Sequence, residues 1–393
     1  MKLHSILLTI SLLISALCFG QNEITPSAKI SLITCDVGED LYATFGHSAI
    51  LVFDTVAGID KVYNYGTFDF NTPGFYTKFA RGKLNYMLSV SRFKPFIKEY
   101  IHLQRSVIEQ ELNLSFEDKI EIYKFLENNA LPENKYYMYD FVYDNCSSRI
   151  RDVFKKILGA RLKFHDQDQN LSFRQLLYPY IDDKPWVSLG INLVFGMRAD
   201  KEATTEEYMF LPSWLSNSFQ NASVESEKKV KSFTANKTRI LEIENPKKKI
   251  HFTELPEFLF WALTIVLGII TFIGYRTRKA LYFIDFILLF ITGFLGIFLT
   301  FMWFGTDHIF TANNLNLLWA VPSHFIIAFF LLKKNKPGFL KPYFVINSFL
   351  CFGVVIFWSI LPQSLPLAIL PFVILLGIRS YFILGSLRRA EAK

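Results

Sequence analysis

The chain has 393 residues, of which 51% are hydrophobic, and it carries a formal net charge of +7. This apolar mass excludes a disordered or fibrous protein, and its concentration after Phe258 argues against a wholly soluble one. The basic balance does not predict nucleic-acid binding, because many lysines and arginines lie in short loops between apolar stretches, where they set membrane orientation.

The amino terminus has the pattern of a secretory signal peptide over residues 1–20. A short basic start is followed by an apolar core from Leu3 to Phe19, and polar residues begin after Gly20. An uncleaved first membrane helix is the alternative. Both interpretations export the residues that follow, and the exported domain is predicted over 21–216.

The exported domain is predicted to be α+β. Short apolar runs indicate strands at Ile30–Thr34, Phe45–Phe53 and Val62–Tyr65. Helices are predicted at Ser115–Asn128, with Ser115 as the N-cap, and at Asp144–Leu158, ended by Gly159.

Residues 217–256 are polar and rich in lysine, including Lys247 to Lys249. This composition predicts a linker that holds the exported domain close to the membrane. A solvated linker with no other role is the alternative.

A membrane domain with about five transmembrane helices is predicted over 257–387. Its apolar runs, each near the roughly 20 residues that a bilayer core requires, are 258–275, 281–304, 315–332, 343–361 and 364–386. Lysines and arginines lie after the first run, after the third and in the tail 388–393, so these parts are predicted to be cytoplasmic. An odd number of spans then makes the amino-terminal domain periplasmic in a multi-pass inner-membrane protein. The last two runs contain prolines, and one broken hairpin is the alternative there.

The cysteines narrow the search for a reactive site. Cys18 lies in the signal and Cys351 in an apolar run, so only Cys35 and Cys146 face the exported compartment. No Cys-x-x-Cys or His-x-x-x-His spacing occurs, and neither a metal nor another cofactor is predicted. A disulfide between Cys35 and Cys146 is possible in an exported domain. It would leave a non-enzymatic envelope scaffold, and this alternative stays open at the level of sequence.

Cys146 lies at the start of a predicted helix. Asp144 or Asn145 can cap that helix, which places Cys146 in the first turn, where the helix dipole and free N–H groups favour a thiolate. The same N–H groups can hold an oxyanion. Apolar residues from Ile150 to Leu158 follow helical spacing, so Cys146 is expected on the core-facing side. These features predict a catalytic nucleophile.

His47 stands at the beginning of a strongly apolar strand, and Asn64 lies on the returning strand. A lone histidine in such a place is more often a hydrogen-bonded core residue than a base. A Cys-His pair, however, needs only a strand and a helix start brought together in space. We therefore predict that His47 is the base for Cys146 and that Asn64 orients its ring, with a polar residue flanking a turn as the alternative for Asn64.

The membrane half also contains polar residues. Asp307 and His308 fall in an outward-facing connection, and His324 falls inside an apolar run after Pro322. Polar residues at membrane depth are often functional. These three are candidates for binding lipid head groups or an acceptor, with interfacial packing and helix hydrogen bonding as the alternative.

These residues carry a resemblance to a known family. Phe45–Ile50, Asn64 and Asn145-Cys146 resemble the permuted papain-like arrangement of the NlpC/P60 superfamily, in which the strand His precedes the helix Cys and to which the lecithin:retinol acyltransferases belong. The chain more closely resembles the Lnb family of Bacteroidota lipoprotein N-acyltransferases over nearly its full length. The blocks that carry this likeness are Leu32–His47, Asn64–Phe70, Lys78–Gly82, Cys146–Arg151 and the multi-span tail.

The resemblance implies a reaction and its partners. A phospholipid would give an acyl chain to Cys146 as a thioester, and the α-amine of a diacylglyceryl-cysteine lipoprotein would then take it. His47 would remove the thiol proton and later the proton of the attacking amine. The same Cys-His pair also fits a membrane-anchored hydrolase, either a phospholipase or a cell-wall peptidase, if water reaches the thioester.

Overall fold

The computed structural model of the protein describes residues 23–165, 169–226, 229–244 and 249–391. The signal peptide predicted over 1–20 lies outside these residues. The described residues form two compact units, the first drawn from 1–72, 85–168 and 205–245 and the second from 73–84, 169–204 and 246–393. The predicted domain 21–216 is thus not a single unit, because 73–84 and 169–204 pack with the membrane half.

The strands are, in chain order, β1 Lys29–Cys35, β2 His47–Asp54, β3 Ile59–Thr67, β4 Asn85–Ser91, β5 Val107–Leu112, β6 Tyr136–Met138, β7 Leu162–Lys163, β8 Ser223–Ser226, β9 Lys229–Ser232 and β10 Thr234–Leu241. The α-helices are α1 Phe75–Ala80, α2 Phe93–His102, α3 Phe116–Ala130, α4 Cys146–Leu158, α5 Phe173–Leu177, α6 Pro185–Val194, α7 Thr205–Tyr208, α8 Pro212–Asn221, α9 Pro256–Thr277, α10 Tyr282–Phe304, α11 His324–Leu331, α12 Leu340–Phe357 and α13 Leu370–Glu391.

A seven-stranded antiparallel sheet is the centre of the first unit. Its spatial order is β10-β5-β1-β2-β3-β4-β6. The three predicted strands and two predicted helices are confirmed, with ends shifted by a few residues. Successive strand residues point to opposite faces of a sheet. Ala49 and Leu51 accordingly pack toward Phe96 of α2, whereas Ser48 of the same strand contacts Ser147 of α4.

The predicted linker over 217–256 is largely replaced by regular structure. Helix α8 continues to Asn221, β8 and β9 form a small sheet with β7, and β10 pairs with β5 at the edge of the large sheet. β10 is an edge strand, and most of its side chains are exposed to water. Its sequence is therefore as polar as that of a linker, although it forms regular structure. The buried neighbours Phe233 and Thr234 hold this segment on the first unit.

The second unit contains four helices that are long and apolar enough to cross a membrane among the described residues. They correspond to α9, α10, α12 and α13. Their ionisable residues are paired where they are buried: Arg379 donates to Asp285 over 2.7 Å and to Thr271 over 2.8 Å. A paired charge is the usual form in which an ion is tolerated at membrane depth.

The third predicted span, 315–332, does not form a regular helix. It consists of a 3-10 helix at Leu315–Leu318 and the eight-residue α11, with Pro322 between them. Gly296 of α10 permits the close approach, because a Cβ there would lie 2.2 Å from the Ala320 carbonyl oxygen. Irregular backbone at membrane depth is tolerated where protein covers it, and Trp319 and Ala320 are fully buried.

Candidate active site

Cys146 is the first residue of α4, and Asn145 caps that helix. The Asn145 side-chain oxygen accepts from the N–H groups of Ser147 and Ser148, both over 2.9 Å, and the Ser148 hydroxyl accepts from the Asn145 N–H over 2.8 Å. Of the two predicted caps, the structure therefore selects Asn145. Its amide nitrogen also donates to the carbonyls of Phe141 and Phe210, over 2.7 and 2.8 Å. One buried side chain thus holds the helix start in place with four hydrogen bonds.

The Cys146 thiol is half-buried and surrounded by donors. Burial by itself raises its pKa, but the His47 ring, through its charge and a hydrogen bond, lowers it, and so do the Ser48 N–H and the Ser147 hydroxyl. The net result is a pKa below the ordinary value of a cysteine. A depressed pKa increases the thiolate fraction, and the thiolate is the nucleophilic form.

His47 opens β2, and Asn64 of β3 lies beside it. The His47 Nε2 is 3.4 Å from the Asn64 Oδ1, and Asn64 is itself buried and donates to the Val62 carbonyl over 3.4 Å. These contacts are long, as catalytic hydrogen bonds often are before substrate binds. Since Nε2 faces Asn64, Nδ1 is the ring nitrogen left for the thiol. The structure therefore brings the three predicted residues together in the first unit.

A buried pair of hydroxyls joins the two elements of the site. The Ser48 Oγ and Ser147 Oγ are 3.0 Å apart and both residues are fully buried. Each serine directly follows a site residue, Ser48 after His47 on β2 and Ser147 after Cys146 on α4. This contact ties the start of β2, which carries His47, to the start of α4, which carries Cys146, and sequence analysis did not identify it.

A bulge in β3 makes room for Cys146. The β3–β4 register shifts between Asn64 and Thr67, and Gly66 within the bulge has φ +87°. A Cβ on Gly66 would lie 3.6 Å from the Cys146 Cβ, so the strand backbone passes directly beside Cys146. A glycine inside a strand is the sequence signal for such a bulge, and it could have indicated this contact.

Tyr137 of β6 is a second residue that sequence analysis missed. The Arg149 guanidinium lies 3.5 Å from the centre of its ring, and Arg149 pairs with Asp144 over 2.9 Å. The Tyr137 hydroxyl is buried, with the Gly66 N–H beside its oxygen, and its own proton has no acceptor among the described residues. Burial, and next the charge of Cys146, raise the pKa of Tyr137, so the phenol stays protonated and can donate. A buried hydroxyl proton without an acceptor calls for a functional explanation.

Cys35 is not a partner of Cys146. Both cysteines are free, so the disulfide alternative and the scaffold that depended on it are contradicted. Cys35 lies opposite His47 in the β1–β2 register. Burial raises the pKa of Cys35 to about 12, which keeps it an unreactive thiol.

The three candidates from the membrane half lie in the second unit. His308 donates from its ring to the Ala80 carbonyl over 3.2 Å, and the Asp307 N–H donates to the Arg81 carbonyl over 2.9 Å. His324 is fully buried and its ring is 3.0 Å from the Asn347 side-chain oxygen. For His324 the contacts fit helix hydrogen bonding, the alternative to head-group binding. Within the described part of the chain no group of His, Cys, Asp and Glu is arranged to hold a metal.

Two family models match the chain. The model described as the Lnb N-terminal periplasmic domain matches residues 21–180, and the model described as the Lnb transmembrane domain matches residues 247–390. Searches of curated proteins and of solved structures returned no match.

Proposed function

The chain belongs to the Lnb family, and we propose that it is a lipoprotein N-acyltransferase that uses Cys146 as its nucleophile. It has a periplasmic amino-terminal domain and a helical membrane domain, as a multi-pass inner-membrane protein does. The observation that carries the proposal is the half-buried Cys146 at a capped helix start, with its pKa lowered by His47. A thiol enzyme in a membrane protein meets acyl lipids where they reside.

The first half-reaction loads the enzyme. His47 takes the thiol proton, and the Cys146 sulfur attacks an ester carbonyl of a phospholipid. The new C–S bond forms as the ester C–O bond breaks, and His47 returns the proton to the departing lysophospholipid alcohol. The Ser147 and Ser148 N–H groups donate to the Asn145 cap. The donors proposed for the oxyanion are therefore the Cys146 N–H and the protonated Tyr137 hydroxyl next to the site.

In the second half-reaction the acyl chain leaves Cys146 for the acceptor. The α-amine of a diacylglyceryl-cysteine lipoprotein attacks the thioester, a new C–N bond forms and the C–S bond breaks. His47 removes the proton from the attacking nitrogen and the thiol is regained. Asn64 keeps the imidazole in the orientation that serves both transfers.

The order of the site elements supports a permuted papain-like fold for the first unit. The histidine strand β2 precedes the cysteine helix α4 in the chain, and α4 packs on the sheet through Ser147 and Ser48. The proposal includes this fold, which brings base and nucleophile together from positions 99 residues apart.

The proposal also places the carboxyl terminus in the cytoplasm, with 315–331 as a fifth, irregular crossing. This segment runs antiparallel to α10: Phe325 lies 4.8 Å from Phe290, and Phe329 lies 5.4 Å from Phe286, by ring centroids. The connection that follows carries Lys336, which lies 4.0 Å over the Tyr282 ring at the start of α10. A reporter enzyme active only in the periplasm, fused after Lys393, should be inactive.

The test of the function is the mass of lipoprotein amino termini in cells with and without this protein. Cells that carry it should make three-chain lipoproteins, and cells that carry Cys146→Ala should make only two-chain forms. Purified protein with phospholipid alone should gain one acyl chain on Cys146 that neutral hydroxylamine removes. Fast release of free fatty acid that acceptor lipopeptide does not accelerate would instead identify a hydrolase with the same Cys-His pair.

A further inference from the structure

Two segments of the amino-terminal half belong to the membrane unit and have no role in the mechanism above. They are residues 73–84, which include α1, and residues 185–196, which include α6. We call them together the outer collar. Both carry large aromatic side chains that are left uncovered, which is unusual on a surface that faces only water.

The first segment of the outer collar is attached to the loop that follows α10. The Arg81 carbonyl accepts from the Asp307 N–H over 2.9 Å, and the Ala80 carbonyl accepts from the His308 ring over 3.2 Å. Helix α10 ends at Phe304, which is 73% exposed. The contacts therefore hold 73–84 within a few residues of the end of a membrane-spanning helix.

The second segment is attached to the start of α9. The Trp186 indole N–H donates to the Glu254 carbonyl over 2.8 Å, two residues before α9 begins. At its other end, the Leu193 and Val194 carbonyls accept from the Asn314 amide over 2.7 and 2.9 Å. Consecutive spans run in opposite directions, so the start of α9 and the end of α10 lie at the same membrane surface. Both segments of the outer collar thus lie at that surface.

The exposed side chains of the outer collar are those of a membrane interface. Tyr76 is 81% exposed, Phe79 is 42% exposed and Trp186 is 50% exposed. Tyrosine and tryptophan are enriched where a protein meets the head-group region, because one end of the ring is apolar and the other polar. Phe79 and Tyr76 pack only against Phe75 among the ring contacts of the described residues.

The exposed side-chain charges of the first segment are all positive, which favours binding to phosphate groups. Lys78, Arg81 and Lys83 are all exposed, and the sequence 73–84 contains no acidic residue. Among the acidic side chains that the structure describes, only Asp307 lies within 4.0 Å of these cations, 3.9 Å from the Lys83 nitrogen. A cluster of cations next to exposed aromatic rings is the pattern of a segment that binds phospholipid head groups and inserts its rings below them.

We propose that the outer collar binds phospholipids of the periplasmic leaflet, with Tyr76 and Phe79 inserted at the level of the glycerol esters and Lys78 and Arg81 on lipid phosphates. The occupant is lipid and not another protein, because hydrogen bonds hold both segments beside the ends of membrane-spanning helices. Insertion of this kind disturbs head-group packing and raises the local concentration of donor ester. The kinetic consequence rests on the proposed function, whereas the insertion itself does not.

The insertion is tested with Tyr76→Trp in the full-length protein in phosphatidylethanolamine–phosphatidylglycerol nanodiscs, with and without acyl-chain bromination. Bromine quenches a tryptophan that lies within the bilayer, so the fluorescence that Tyr76→Trp adds over wild type should fall at least twofold in brominated lipid. Phe283→Trp on α10, where Phe283 is 63% exposed, is the positive control. Added fluorescence at position 76 that bromination leaves unchanged, with Phe283→Trp quenched, would overturn the proposal.

The phosphate contact is tested by Lys78→Gln/Arg81→Gln. Each removed charge should raise the apparent KM for donor phospholipid about fivefold, from the usual attraction of one cation to an anionic surface. The KM for acceptor lipopeptide and kcat should not change. Lys94→Gln/Lys98→Gln removes the same charge from exposed positions on α2 and is the matched control. Equal KM values for donor phospholipid in both double variants would refute the phosphate contact. If the wild-type protein shows no acyl transfer at all, only the proposed function is refuted, and the bromination experiment still tests the insertion.

Discussion

Asn145 offers the sharpest test of how the helix start supports catalysis. Replacing Asn145 with Ala removes two bonds that it accepts from α4 and two that it donates to the Phe141 and Phe210 carbonyls. Loss of an N-cap alone costs about 1 kcal/mol. A buried carbonyl left without a donor costs about 1 kcal/mol or more, so the total should be about 3 kcal/mol.

Ser115→Ala is the control that separates the effect of a lost helix cap on stability from its effect on catalysis. Ser115 caps α3 by accepting from the Asp118 N–H over 3.1 Å, far in the chain from the nucleophile. Its loss should cost about 1 kcal/mol and leave the rate of thioester formation unchanged. Asn145→Ala should lower that rate at least tenfold at a temperature where both variants are folded, because Cys146 is the next residue and the Asn145 cap fixes the position of its thiol and its N–H.

Asn145→Asp separates the hydrogen bonds that Asn145 accepts from those that it donates. A carboxylate can still accept from the Ser147 and Ser148 N–H groups but cannot donate to the two carbonyls, so its stability should fall between wild type and Asn145→Ala. Thermal unfolding followed by circular dichroism gives the stability, and intact-mass analysis gives the rate of acylation by phospholipid. If Asn145→Ala acylates as fast as Ser115→Ala while both remain folded, the helix start does not position the nucleophile.

Four further outcomes are expected from the site. Cys146→Ser and His47→Ala should each lower the acylation rate by roughly 10³-fold or more. The double variant should be little slower than either single variant, because the two groups act as one unit. If the two losses in log rate add up in the double variant, this pairing is contradicted. The His47 ring and nearby donors lower the pKa of Cys146, so the thiolate forms at a pH below the pKa of a free cysteine. The acylation rate should therefore rise with pH through this lowered pKa. A rate that rises only at the pKa of a free cysteine would be inconsistent with the pairing. Tyr137→Phe should lower kcat by about 10²-fold with little change in KM if its hydroxyl donates to the oxyanion, and an unchanged kcat would remove it from the site. Cys35→Ser should retain most activity, as measured by the same acylation assay, because Cys35 is a free, unreactive thiol.

The parts of the site that depend on local chemistry could be predicted from the sequence. Asn145 before Cys146 and Ser148 after it form a capping box, and that motif specifies a helix start over only a few residues. The apolar spacing from Ile150 to Leu158 likewise predicted which side of α4 meets the sheet, and those two end residues are buried.

The parts that depend on register could not be predicted. His47 meets Asn64 because β2 and β3 pair with Ile50 opposite Tyr63, and a slip of one residue would turn Asn64 to the other face. The bulge at Gly66 and the position of the Tyr137 hydroxyl beside it follow from how β3, β4 and β6 align, which no short stretch of sequence encodes.

The same division holds for the membrane half. Length and hydropathy alone determined where four long apolar helices lie, because a bilayer imposes the same requirement on every span. The break between Leu318 and His324 was decided by packing, since Gly296 lets the Ala320 backbone approach α10 and the surrounding protein covers it. The capped helix start at Cys146 and the four long apolar helices could be read from the sequence, because each depends on neighbouring residues. The tertiary fold sets the approach of the His47 ring and the Ser48 N–H to Cys146, and it joins 73–84 and 169–204 to the membrane unit. These contacts link residues far apart in the chain, so no local pattern encodes them.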